Sequence, residues 1–223
     1  FLDLKNLVLG FQNIQYFSIG ENLISNFPFR LVENAKKILD MLDFANNKIE
    51  KLINEFKRVV YVQNISFKKN LIDFIDENFF AKLRFLIYLD LSSNRISNLN
   101  SNTFSQLNQL ENLNLSNNQI QNLEREVFES LKSLKRLDLS YNFIKFLNEY
   151  ILNDLNQLEI VYLNSNLNVF IYDQVKIDKQ KTSRNLKQLF ISNDCLNFQS
   201  KEISNYSIIT DLLQPKFFKV LNN

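Results

Sequence analysis

Asp43, Asp90 and Asp138 come nearest to an acid–base set in this 223-residue chain, because they recur at almost equal intervals and could supply paired carboxylates. Such chemistry needs two groups close together, with one of them desolvated so that their proton affinities separate. Histidine, the commonest general base, is absent, and the single cysteine, Cys195, has no imidazole to deprotonate it. Ser-His-Asp and Cys-His nucleophile pairs are therefore excluded within the chain, as are an intrachain disulfide and a zinc site built from His and Cys. Cys195 reads as a partly buried, inert thiol. No enzyme activity, metal or cofactor is expected.

Non-covalent recognition is better supplied. The C-terminal third carries Arg136, Tyr141, Ile160, Tyr162, Lys187 and Phe190, with Tyr88 and Tyr16 further upstream. Outward-facing aromatic residues beside an arginine have the composition of a protein-binding hot spot. The competing reading is that they are scattered surface aromatics, or that residues 172–185 fold over them. Lys and Arg total 26 against 24 Asp and Glu, with no block of like charge, so no field favours nucleic acid or an anionic membrane. The run DQVKIDKQKTSR reads as a solvated loop. No apolar window is long enough to cross a bilayer, so direct membrane insertion by this chain is not expected. The expected partner is another protein. Three Asn-x-Ser sequons, at Asn64, Asn114 and Asn205, are no more than an asparagine-rich chain produces by chance.

The elements that must position these residues follow from a repeat. LIYLDLSSNRISNL begins at Leu86, LENLNLSNNQIQNL at Leu110 and LKRLDLSYNFIKFL at Leu134, and each reads L-x-x-L-x-L-x-x-N-x-I-x-x-L. Weaker copies place Asn22, Asn47 and Asn70 upstream and Asn166 downstream, so that Asn22, Asn47, Asn70, Asn94, Asn118, Asn142 and Asn166 are separated by 25, 23, 24, 24, 24 and 24 positions. A degenerate copy follows at Leu186, Leu189 and Ile191. A second apolar pair recurs in step, at Phe80/Leu83, Phe104/Leu107, Phe128/Leu131 and Leu152/Leu155. Leucines two apart lie on one face of a strand, and one such strand cannot bury that face by itself. Stacked copies can, by lining up as a parallel sheet over a shared apolar spine.

On these residues the chain resembles the leucine-rich repeat family in its 24-residue form, over residues 14–171 and, poorly, 186–194. The resemblance implies an α/β fold: a curved solenoid or horseshoe, with a parallel β-sheet on the concave face and short helices or turns on the convex face. It further implies that the seven asparagines form a ladder, each bonding the backbone of its own turn and of a neighbour. The x positions of L-x-x-L-x-L then stand out from the concave sheet, which makes Arg136, Tyr141, Ile160, Tyr162, Lys187, Phe190 and Tyr88 the candidate ligand contacts. Asp90 and Asp138 fall two repeats apart, about 10 Å by strand spacing, and are expected to be solvated surface acids.

The whole of 1–223 is expected to form one domain, with repeats over about 14–194 and a C-terminal cap or tail over 195–223. Within that tail, residues 200–213 carry a helical apolar pattern ahead of Pro215. The flanks lack the cysteines of Cys-rich caps, and a start at Phe1 in place of Met suggests a processed product or fragment. The expected function is a non-catalytic protein–protein recognition module of a receptor-like or secreted protein, with an extracellular or cell-surface location slightly favoured over the cytoplasm. An intracellular regulatory or scaffold subunit that docks on an enzyme is the alternative. Oligomeric state is not legible from the sequence.

Overall fold

A computed structural model describes residues 15–29, 32, 39–147, 151–166, 170–171 and 188–190, with residues 146, 170, 171 and 188–190 described by their backbone. The strands are β1 (Tyr16–Ser18), β2 (Leu39–Asp43), β3 (Lys51–Leu52), β4 (Val62–Ser66), β5 (Phe74–Ile75), β6 (Tyr88–Asp90), β7 (Asn112–Asn114), β8 (Arg136–Asp138), β9 (Phe146–Leu147), β10 (Ile160–Tyr162), β11 (Phe170–Ile171) and β12 (Gln188–Phe190). Eight of them form one parallel sheet in the order β1-β2-β4-β6-β7-β8-β10-β12. Two smaller parallel pairs, β3–β5 and β9–β11, lie on the segments that leave the main sheet. This is the parallel-stranded solenoid that the repeat requires. Among the described residues helix is sparse: Phe29 and Val32 are helical, and Phe79–Lys82 and Arg125–Phe128 each form a single 3-10 turn on a return segment.

Each repeat contributes the same residues to the interior. Leu89, Leu91, Leu110, Leu113, Leu115, Leu134, Leu137 and Leu139 are all buried, and so are Phe80, Phe104 and Phe128 from the outer wall. Those three rings follow one another along the axis, Phe80 tilted against Phe104 at 5.8 Å between centroids and Phe104 stacked on Phe128 at 6.5 Å. Burying one such side chain contributes about 1.5–3 kcal/mol, and a spine of them makes neighbouring coils depend on one another. The first coils, where the asparagine spacing is 25 and then 23, are filled by phenylalanine. Phe27, Phe29, Phe44, Phe56, Phe67 and Phe79 pack there into one aromatic cluster, with Phe27 touching all five others at 4.8–5.7 Å.

The turn that ends each main strand exposes backbone groups to a dry interior, and six buried asparagines meet them, whereas Asn22, expected in the same ladder, is exposed. Asn118 Nδ2 donates to the carbonyls of Leu115 (3.0 Å) and Ser116 (3.2 Å) in its own turn and of Leu91 (3.0 Å) one coil earlier. Its Oδ1 accepts the N–H of Ile96 at 3.0 Å, so that a single side chain ties two coils together. Asn47, Asn70, Asn94, Asn142 and Asn166 repeat the pattern, each accepting from the coil before it at 3.0–3.1 Å. Asn22 donates within its own turn, to Ile19 and Gly20 carbonyls.

The residue before each ladder asparagine has positive φ: Glu21, Asn46, Lys69, Ser93, Asn117, Tyr141 and Ser165 lie between 53° and 58°. Glycine would adopt this left-handed geometry at least cost, yet none of the seven is glycine. Their N–H groups supply the offset, because each of the first six donates to a carbonyl of the next coil at 2.9 Å, as Tyr141 does to Asn164. The expected C-terminal helix at 200–213, residues 1–11, the loop 172–185 and Cys195 lie outside the described residues.

Candidate functional site

Strand register aligns the residues of the main sheet that alternate with its buried positions into two columns, Gln188 and Phe190 being placed by backbone register alone. One runs Tyr16, Met41, Asn64, Tyr88, Asn112, Arg136, Ile160, Gln188, and the other Ser18, Asp43, Ser66, Asp90, Asn114, Asp138, Tyr162, Phe190. The three aspartates share the second column, separated by Ser66 and Asn114.

Their environment corrects the expectation of solvated acids. Asp90 is only 5% exposed, and Asp43 and Asp138 are half-buried. Each folds back over its own turn: Oδ1 of Asp43, Asp90 and Asp138 accepts the N–H of Ala45, Ser92 and Ser140 at 2.9, 2.8 and 3.0 Å. Asn114 does the same to Ser116 at 3.0 Å. These carboxylates close turns, which a general acid free to move a proton does not do. Within the column the device stops at Tyr162, which has no oxygen placed to accept from its own turn.

At that point the surface changes from turn-closing acids to a cation held on a phenol. Arg136 Nη2 donates to the Tyr162 hydroxyl at 2.8 Å, and its Cζ lies 5.4 Å from the Tyr162 ring centroid. Two strands away, Tyr88 donates its hydroxyl to Asp90 Oδ2 at 3.1 Å. Burial first, then the Asp90 charge and its hydrogen bond, push the Tyr88 phenol up to about 12, while the field of Arg136 pulls the other way. Ile160 lies in register beside Arg136, half-buried. Phe190 is in register with Tyr162 by its backbone, and Lys187 lies outside the described residues. Tyr141 departs from the others: 59% exposed, it sits in the left-handed turn beyond β8, at the rim of the sheet and off its strands.

A family model described as Leucine rich repeat matches residues 60–120 and 109–167. The chain is a leucine-rich repeat protein. No curated protein matches it in sequence. Among solved structures, this leucine-rich repeat chain is similar to a crystal structure of a TLR13–ssRNA13 complex, at TM-score 0.69 and 23% identity, with 85% of this chain and 26% of that one covered. It is also similar to the Toll–Spatzle complex of Drosophila in glycosylated form, at TM-score 0.58 and 21% identity, with 70% of this chain and 24% of that one covered. The chain thus spans about a quarter of each of those structures, and likeness at this identity speaks to the fold.

In the leucine-rich repeat sheet the two described sequons differ. Asn64 Nδ2 donates to the Asp40 carbonyl, while Asn114 Oδ1 accepts both the N–H and the hydroxyl of Ser116, at 3.0 and 2.7 Å. Repeat reasoning missed the turn-closing role of the Asp column and the Tyr88–Asp90 bond. A signal was present in the Asp-x-Ser and Asn-x-Ser spacing of LDLSS, LNLSN and LDLSY, where an acceptor side chain precedes by two residues the N–H it can reach.

Proposed function

We propose that this leucine-rich repeat chain is a non-catalytic recognition module of a receptor-like protein, and that it binds a protein ligand on the concave sheet around β8 and β10. The observation that carries the reading is the Arg136–Tyr162 pair, an oriented guanidinium packed on a phenol at the point where the turn-closing acids give out. Desolvated Arg and Tyr contribute more per residue to protein association than other surface residues do. The Toll–Spatzle structure is named for a protein complex and the TLR13 structure for an RNA complex, so ligand recognition by this fold is supported while the ligand class is open. The acids of the concave face favour a protein over RNA here, because a phosphate chain laid across Asp43, Asp90 and Asp138 meets like charge.

The test is affinity capture by the chain from matched extracellular and cytosolic extracts, run beside Arg136→Ala and Tyr162→Ala. The reading expects a protein retained from the extracellular extract and lost with either substitution. Retention that is indifferent to both substitutions contradicts it.

A further inference from the structure

Arg136 and Asp138 stand two residues apart on the same face of β8, about 7 Å by strand rise, which is within the reach of a long arginine side chain. They form no ion pair. Among the described residues the ion pairs on either face are Arg125 and Lys132 with Asp154, and Lys135 with Glu111. The last of these joins the residues that lead into β7 and β8 at 2.8 Å, so a cation beside this sheet does find an acid where geometry allows.

Two contacts hold the β8 charges apart. Tyr162 draws the guanidinium toward β10 through its hydroxyl and ring. Ser140 secures Asp138 through its N–H at 3.0 Å and its hydroxyl at 2.6 Å, both on Oδ1. Each charge is thereby oriented in advance without an ion-pair partner among the described residues, and that orientation lowers the ordering cost of binding. The half-buried phenol of Tyr162 packs against Arg136 and offers flat surface to the aliphatic stem of an incoming charged side chain, with Tyr88 lying in the same column beyond Asn112.

Resting on the recognition reading above, we propose that the Arg136–Asp138 step is a two-signed clamp for a polypeptide segment that sets an acidic side chain on Arg136 and a basic one on Asp138. A polyanion satisfies only the first of these charges and is repelled by the second. A mixed-charge polypeptide satisfies both, and placing either charge against the wrong member costs enough to fix register.

The test pans a displayed library of linear peptides against the folded chain, then measures the selected peptides on Arg136→Glu, Asp138→Asn and Tyr162→Ala. Asp138→Asn keeps the oxygen that closes the turn, as Asn114 does one strand away, and removes only the charge. The clamp expects peptides that pair an acid with a base. Binding should fall about tenfold or more on Arg136→Glu and less steeply on Asp138→Asn. Panning against Arg136→Glu should exchange the acid for a base. Peptides sensitive to Tyr162→Ala but indifferent to both charge changes overturn the clamp and leave the recognition surface standing. Peptides indifferent to all three substitutions overturn both. Oligothymidylate bound in an Arg136-dependent manner, with no mixed-charge peptide selected, also overturns the clamp.

Discussion

Two serines in equivalent turns differ in a way that separates useful hydroxyls from costly ones. Ser140 donates its hydroxyl to Asp138 Oδ1 at 2.6 Å, whereas the hydroxyl of Ser92 is buried without a partner although its N–H meets Asp90 Oδ1 in the same way. Ser140→Ala should cost about 1 kcal/mol, and Ser92→Ala should be neutral or slightly stabilising, as thermal melts of the two variants will show. Thr103 is a second buried hydroxyl without a partner, so Thr103→Val should raise the melting temperature. Asn118→Ala is the opposite case: it strands the Ile96 N–H and three carbonyl contacts, at a cost of about 1–3 kcal/mol in a urea titration.

The Tyr88 phenol adds a pH dependence at this same scale. Its proton is held more tightly in the fold than in the unfolded chain, so its contribution is complete below about 10 and is lost as pH climbs toward about 12. Denaturation midpoints across that window should fall in the wild type, and Tyr88→Phe should remove the Tyr88 share of the fall.

At the scale of the element, the seven left-handed turns show why so little glycine suffices. Six of these seven strained residues are held by an inter-coil N–H bond and all seven sit beside a ladder asparagine, so the cost of positive φ is met by the stack and not by residue choice. Ser93→Gly should therefore stabilise by a few tenths of a kcal/mol to about 1, while Ser93→Val should destabilise by more than that, because a β-branched residue resists this conformation. Paired melts of the two variants decide it.

This is also where the sequence was most and least legible. The leucine spacing and the asparagine period placed β6, β7, β8 and β10, because burial of a period-two face leaves no other register. The short pairs β3–β5 and β9–β11 escaped notice, since two-residue strands have no period to read. Tyr141 was grouped with the strand residues because its position is counted like an x position. Its backbone is that of a turn, and periodicity does not encode φ.

At the scale of the molecule, a solenoid whose coils bond only to their neighbours offers one continuous inner sheet, and function depends on how its columns vary along the axis. Here the variation has a direction, from turn-closing Asp, Ser and Asn in β1–β8 to Tyr162 in β10. The sequence showed the aromatic and cationic residues gathering toward this end. It could not show that Arg136 turns to Tyr162 and away from Asp138, because that choice is set by side-chain contacts across strands.

The central claim, that ligand sits on the concave sheet beside Arg136 and Tyr162, is tested most directly by photo-crosslinking. A photoreactive side chain at Asn112, between Tyr88 and Arg136, is compared with one at exposed Glu129 on the outer wall, using the captured protein as target. The account predicts a crosslink from position 112, competed by unlabelled chain, and none from position 129. A crosslink from 129 with none from 112 would contradict it.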